Sequence, residues 1–176
     1  EDLNRIAMID SLEALADEFG RQYLVGGISP FSAWIGLNPV NPDEYKLSIG
    51  LSGLGLGDRD YYLEDSERMN HIRYEYKQHI AKMLSFANYD VSVAWPSRIL
   101  AIETQIAELQ WIRSDRRDRD KTFNPTLTSE LTNTHPEFPW LRFLSARGVD
   151  AVEEINLSHP DTIGPLIDFI RNTEIA

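Results

Sequence analysis

The segment Gly53–Tyr62, GLGLGDRDYY, places three glycines at alternate positions ahead of two aspartates and two tyrosines. A phosphate-binding P-loop ends in Gly-Lys-Ser/Thr, whereas these glycines lead into Asp58 and Asp60, whose carboxylates repel phosphate. The dinucleotide fingerprint has two residues between its second and third glycines, so Gly57 comes one position too early. The two aspartates also lack the further ligands of an EF-hand calcium loop. The segment therefore indicates a turn after a strand, with Arg59 pairing locally and the tyrosines packing.

Glutamate and histidine recur at every fourth residue in the next segment, at Glu67, His71, Glu75 and His79. Residues at this spacing lie along one face of a helix, and both side-chain types bind zinc. A straight row does not converge on one ion without a second element. We therefore interpret the row as a solvated helix face with carboxylate–imidazole pairs, and zinc binding by the row stays the alternative.

The segment Arg113–Lys121, RSDRRDRDK, contains five basic and three acidic side chains. A nucleic-acid-binding patch would carry fewer carboxylates, so the pattern favours an ion-paired surface segment. The net charge of −11 at pH 7 also repels polyanions, which argues against a nucleic-acid partner. The other two histidines, His135 and His159, each precede a proline and are predicted to lie in turns.

No motif for a nucleophile or a zinc site occurs in the sequence. The serines lie outside any Gly-x-Ser-x-Gly setting, and His-Glu-x-x-His is absent from the 176 residues. The sequence therefore assigns no catalytic, cofactor-binding or metal-binding residue to this chain. The substrate-binding residues stay unassigned.

The spacing of apolar residues predicts a mainly helical chain with a small β-hairpin. Alternating apolar residues at 31–37 and 45–51 predict two strands joined by a long loop rich in proline and asparagine. We find no repeat, low-complexity tract or linker, so residues 1–176 form one region. Helices are predicted at 3–19 with a stop at Gly20, from a cap at Asp65 or Ser66 to Ala87, from Pro96 to Leu109, from Pro139 to Gly148, and from Pro160 to Ile170.

The composition is that of a folded soluble protein, with 42% hydrophobic and 26% charged residues in a chain long enough to bury a core. There is no cysteine, so the chain forms no disulfide. We find no apolar run of the roughly 20 residues that span a bilayer, and no export leader at the start. Because helical patterns run up to both ends, we expect this sequence to be an excerpt of a longer protein.

Five motifs occur in a characteristic order: GLGLGDRDYYL, IETQIAELQW, RRDRDKTFN, LTSEL and FPWLRFL. Taken together, they make the sequence resemble the N-terminal half of neprilysin-family zinc metallopeptidases, which include the endothelin-converting enzymes and bacterial oligopeptidases. The resemblance is clearest from Gly53 to Gly148. The sequence departs from the family pattern at Gly57, where proline is usual, and at Leu127-Thr128, where a helix-capping threonine usually comes first.

The resemblance implies an enzyme of two mainly helical lobes around a chamber that admits short peptides. In the family, zinc is bound by the histidines of His-Glu-x-x-His and by a glutamate of a later Glu-x-x-x-Asp, while the motif glutamate activates water. Neither motif lies within residues 1–176, and the arginines that bind a substrate carboxylate lie upstream of the matching region. The resemblance thus transfers no functional residue, and zinc is expected only in the full-length parent.

We therefore predict that residues 1–176 are part of the non-catalytic cap of an oligopeptide-hydrolysing metalloendopeptidase, inactive alone, whose partners are peptide substrates and the rest of its own chain. The alternative is a self-contained helical interaction module without catalysis. Animal members of the family look disulfide-rich, so the absence of cysteine favours the bacterial branch. We expect the parent in the periplasm or cell envelope, with the cytoplasm as the alternative. An excised cap should also expose apolar surface and self-associate.

Overall fold

The computed structural model describes residues 2–89 and 94–173. Helices make up most of the structure and are accompanied by one small sheet, which confirms the mainly α prediction. The chain forms two compact units: unit 1 consists of Glu1–Gly53 and Trp111–Ala176, and unit 2 of Leu54–Gln110. Among the described residues, no helix is long and apolar enough to cross a membrane.

The elements are numbered in chain order, and helices α3 to α5 belong to unit 2. They are α1 (Asp2–Ile6), α2 (Leu12–Gln22), β1 (Phe31–Leu37), β2 (Tyr45–Leu51), α3 (Asp60–Leu63), α4 (Glu67–Phe86), α5 (Trp95–Leu109), α6 (Arg113–Arg117), α7 (Arg119–Thr122), β3 (Pro125–Leu127), α8 (Thr128–Thr134), α9 (Trp140–Ala146), β4 (Glu154–Leu157) and α10 (Pro160–Asn172). A short 3₁₀ turn, Tyr23–Val25, follows α2.

The sheet of unit 1 has the strand order β1-β2-β4-β3. The predicted hairpin is confirmed, because β1 and β2 pair antiparallel with Leu37 opposite Tyr45. Strand β4 adds parallel to β2, and β3 adds antiparallel to β4. The sequence analysis missed these two strands because segments of three and four residues are too short to show alternation.

The two faces of the sheet have different surroundings, as expected when side chains alternate along strands. One face is buried against the apolar side of α10 and an aromatic cluster. In this cluster the Phe31 ring centroid lies 4.9 Å from that of Trp140. The opposite face carries Trp34, Ser48 and Asn156. The core residues of unit 1 include Phe31, Ala33, Leu47, Ile49, Phe138, Trp140, Phe143, Ile155, Leu157, Ile163, Leu166, Ile167 and Ile170.

The prediction of one helix at 3–19 with a stop at Gly20 is wrong in two respects. The segment is divided into α1 and α2, and Ser11 caps α2 by accepting a hydrogen bond from the Ala14 N–H at 3.3 Å. Gly20 lies inside α2 and is buried against α9, where an added Cβ would stand 2.3 Å from the Phe143 carbonyl oxygen. Glycine is needed there for close helix packing, and the left-handed residue is Gly26, with φ +74°.

The other helix signals are confirmed. Ser66 caps α4 by accepting a hydrogen bond from the Met69 N–H at 3.3 Å. Pro96 and Pro160 lie in the first turns of α5 and α10, where a missing N–H costs nothing. Gly148 follows α9 with φ +83°.

Candidate functional site

The glycine-rich segment is fixed in unit 2 by a half-buried polar cluster. The Tyr62 hydroxyl accepts a hydrogen bond from the Leu56 N–H at 2.8 Å and donates to Glu103 Oε2 at 2.7 Å. The Tyr76 hydroxyl donates to Glu103 Oε1 at 2.9 Å. A Cβ on Gly55 would stand 1.9 Å from this Tyr76 hydroxyl. Gly55 is therefore required for the close approach of a tyrosine, which supports a structural turn.

The electrostatics of this cluster also indicate a structural role. Burial raises the pKa of the Glu103 carboxyl, although the two tyrosine hydrogen bonds oppose the shift. Burial likewise raises the pKa of Tyr62 and that of Tyr76, and the neighbouring Glu103 adds to both shifts. The two hydroxyls therefore stay protonated as donors to the carboxyl group, and the three side chains satisfy one another.

The two departures from the family pattern are visible in the backbone. Gly57 has φ +42°, whereas proline is restricted to a φ near −65°, so this turn cannot accommodate proline in its present conformation. Helix α8 begins at Thr128 without a side-chain cap. The Thr128 hydroxyl instead donates to the Val152 carbonyl oxygen at 2.5 Å, so it attaches the start of α8 to the segment before β4.

The row Glu67, His71, Glu75 and His79 lies on exposed positions of α4, as the solvated-face interpretation predicts. Across residues 2–89 and 94–173, no three His, Asp or Glu side chains form a group able to bind a metal ion. The row of α4 therefore has no partner element for binding zinc among the described residues, and we derive no zinc-dependent step from them.

A cavity of about 480 Å³ lies on the polar face of the sheet in unit 1. The sheet supplies one wall, the segment from α6 to Phe123 a second, and the loop between β1 and β2 closes one end. Three of the lining side chains are cationic and none is a carboxylate, although the chain carries a net charge of −11. The lining residues include Trp34, Leu37, Asn38, Pro39, Lys46, Ser48, Arg116, Arg119, Thr122, Phe123, Asn156, Ser158 and His159.

Two asparagines hold the charged segment against the sheet. Asn156 on β4 accepts a hydrogen bond from the Asn124 N–H at 2.6 Å, and its amide nitrogen lies 3.1 Å from the Thr122 carbonyl oxygen. Asn124 donates from its own amide to the Leu157 carbonyl oxygen at 2.9 Å. These bonds fix the end of α7 and thereby position Arg119 at the cavity.

The charged segment is ion-paired at the surface, as predicted. Lys121 Nζ lies 2.7 Å from Asp115 Oδ1, and Asp118 caps α7 by accepting a hydrogen bond from the Asp120 N–H at 3.0 Å. The sequence analysis did not predict that Arg116 and Arg119, in the same segment, would line a cavity.

His159 immediately precedes α10, in agreement with the predicted turn, but it is buried, with 8% of its surface exposed. Its ring stands edge-on to Trp111 with centroids 5.0 Å apart, and a Cβ on Gly50 would lie 2.9 Å from its Nδ1. Neither ring nitrogen has a hydrogen-bond partner in the described part of the chain. Burial lowers the pKa of His159; the charge of Arg116 adds to this shift, and Asp161 opposes it.

Lys46 is a largely buried cation in the cavity wall. Its side chain is 11% exposed and forms an ion pair with Glu154. The Nζ atom also lies 5.8 Å from the centroid of the Phe123 ring. The cation is thus fixed between an acidic and an aromatic partner.

Comparison with known proteins identifies the family. The model for peptidase family M13 matches residues 1–176. The chain belongs to peptidase family M13. The resemblance drawn from the ordered motifs is thereby confirmed, including its assignment to the N-terminal portion of the family. The M13 family consists of metallopeptidases.

Curated relatives of this M13 chain are endothelin-converting enzymes. Endothelin-converting enzyme 1 of Rattus norvegicus is 30% identical over 132 residues, which cover 74% of this chain and 17% of the relative. The homolog of Locusta migratoria is 24% identical over 170 residues, covering 92% of this chain and 23% of the relative. The chain therefore spans about a fifth of the length of these relatives.

Solved M13-like structures share the fold. The zinc metalloprotease ZMP1 of Mycobacterium tuberculosis, in complex with an inhibitor, matches with a TM-score of 0.89 at 23% identity, over 99% of this chain and 27% of that one. PepO of Lactobacillus rhamnosis HN001 matches with a TM-score of 0.68 at 11% identity, over 96% of this chain and 29% of that one.

Proposed function

We propose that this M13 chain is a cap segment of a zinc-dependent metalloendopeptidase that hydrolyses oligopeptides. Its role is architectural: its helices wall the substrate chamber and restrict access, while the rest of the polypeptide supplies the zinc ligands and the catalytic glutamate. The proposal rests on one observation, that an M13 family model spans all 176 residues while the sequence lacks His-Glu-x-x-His. The polar cluster around Glu103 supports it, because the glycine-rich segment serves the scaffold.

The first test is the reading frame downstream of the Ala176 codon. We expect it to encode His-Glu-x-x-His followed by Glu-x-x-x-Asp. A stop codon directly after Ala176 would refute the peptidase proposal and favour the non-catalytic interaction module.

The second test compares the activity of the 176-residue chain with that of the full-length gene product on a short fluorogenic peptide. We expect hydrolysis only by the full-length protein, abolished by a zinc chelator and restored by added zinc. A full-length variant with glutamine for the motif glutamate is the matched control. Chelator-sensitive hydrolysis by the pure 176-residue chain would contradict the architectural role.

We also propose a bacterial parent that acts in the periplasm or cell envelope. The absence of cysteine supports this origin. The same gene provides the test, because an export signal or lipid-anchor sequence should precede the codon for Glu1. An open reading frame that starts without such a signal would favour the cytoplasm.

A further inference from the structure

The cavity on the polar face of the sheet differs in charge from the rest of the chain. Acidic residues outnumber basic ones by 28 to 17, yet the lining contains Lys46, Arg116 and Arg119 and no carboxylate. Glu154, which pairs with Lys46, is outside the lining. Cationic side chains gathered in a concave site attract an anion more strongly than they do on an open surface. The lining is therefore suited to an anionic ligand.

The same cavity also offers an apolar surface. Trp34 is 40% exposed on the hairpin side, and Phe123 lies on the opposite wall. Gly36 lies on the same face of β1 as Trp34 and adds no side chain to the cavity. A volume of about 480 Å³ lies within the range of sites for small ligands. The ligand should therefore combine its negative charge with an apolar group.

A third observation is the unsatisfied imidazole of His159 in the wall. Buried polar groups are nearly always hydrogen-bonded, and an unpaired one indicates a missing partner. A neutral imidazole carries one N–H donor, which suits a carboxylate oxygen. Asp161 is the nearby acid. It accepts a hydrogen bond from the Trp111 indole N–H at 3.0 Å and none from the His159 ring.

From these three observations we infer that the cavity is a binding site for an organic carboxylate with an apolar substituent. The carboxylate lies by Arg119 and Arg116, and the substituent packs on Trp34 and Phe123. Arginine suits this task because its planar group donates two parallel hydrogen bonds to a carboxylate. The site lies wholly within unit 1 and requires no peptidase activity, so its test is independent of the proposed function.

The experiment is calorimetric titration of the full-length gene product with N-acetyl-L-phenylalanine, and with N-acetyl-L-phenylalaninamide, which has the same shape without the charge. We expect the carboxylate to bind with a dissociation constant on the order of 1 mM and the amide to bind at least about tenfold more weakly. Binding should also weaken as the salt concentration rises.

The decisive variant is Arg119→Gln, with Arg117→Gln as its matched control. Both arginines are exposed in the same charged segment, but Arg117 does not line the cavity. We expect Arg119→Gln to weaken carboxylate binding about tenfold, and Arg117→Gln to change it less than about twofold. Trp34→Ser should weaken the binding of N-acetyl-L-phenylalanine. The difference in affinity between the carboxylate and the amide should stay the same. Circular dichroism checks that each variant is folded.

Three outcomes would overturn the inference. The first is equal binding of the amide and the carboxylate, and the second is an equal loss in Arg117→Gln and Arg119→Gln. The third is the absence of saturation at concentrations about ten times the expected dissociation constant. Because the readout is heat of binding, a protein without peptidase activity still gives a clear result.

Discussion

At the scale of single residues, the glycines of GLGLGDRDYY serve different physical needs. Gly57 supplies a positive φ, whereas Gly55 makes room for the Tyr76 hydroxyl, which donates to Glu103. The sequence alone did not distinguish these two roles, because both depend on the three-dimensional path of the chain. The sequence did argue against phosphate binding, because Asp58 and Asp60 directly follow the glycines and their carboxylates repel phosphate.

Substitution of Gly55 tests this interpretation. In Gly55→Ala, the new Cβ at 1.9 Å would displace the Tyr76 hydroxyl and break its bond to Glu103. We expect a loss of about 1 to 3 kcal/mol in the free energy of unfolding, measured by urea denaturation.

The same substitution in a Tyr76→Phe variant is the matched control, because this variant lacks the hydroxyl that the new Cβ would contact. The cost of Gly55→Ala should be smaller in this background, though not zero, since the Tyr76 Cζ atom would still lie 2.8 Å from the new Cβ. Equal costs in the two backgrounds would show that Gly55 acts through something other than Tyr76.

At the scale of elements, local periodicity identified the long helices and the hairpin, because each is defined by neighbours in sequence. The ends of α2 were not predictable in this way. Gly20 has the sequence signature of a helix stop, but α9, more than a hundred residues later, packs against it and makes glycine necessary inside the helix. The candidate cavity was missed for a similar reason, since Asn124 and Asn156 come together only when β3 pairs with β4.

The contact between α2 and α9 predicts the effect of Gly20→Ala. The added Cβ would lie 2.3 Å from the Phe143 carbonyl oxygen, so the two helices must move apart. Overpacking costs about 1 to 3 kcal/mol, and the better helix propensity of alanine returns about 1 kcal/mol. We expect a net destabilisation of up to about 2 kcal/mol, seen as a lower thermal midpoint.

Gly36→Ala is the control for this helix contact, because its Cβ would lie 3.9 Å from the Trp34 ring, an ordinary packing distance. Its thermal midpoint should stay near that of the unsubstituted chain. An equal loss in both variants would mean that glycine-to-alanine changes are costly throughout unit 1, independently of the α2–α9 contact.

At the scale of the whole molecule, the hairpin carries apolar surface beyond its core. Phe31 and Ala33 are buried, but Ile35 and Leu37, on the same face of β1, are 59% and 62% exposed, and Tyr45 opposite Leu37 is 76% exposed. Exposed apolar patches mark surfaces that meet another molecule or another part of the chain. We therefore expect the isolated 176-residue chain to self-associate, with an apparent mass in light scattering that rises with concentration.

The double variant Leu37→Lys/Tyr45→Lys tests whether this patch is responsible. It replaces an apolar cross-strand pair with like charges, which disfavours association through that surface. Asp43→Lys, in the loop between β1 and β2, is the control. It changes the charge without removing apolar area and should leave association unchanged. A monomer of constant mass in the unsubstituted chain at high concentration would contradict the prediction. If Asp43→Lys abolished association as fully as the double variant, net charge would be the cause, and the hairpin face would need no covering partner.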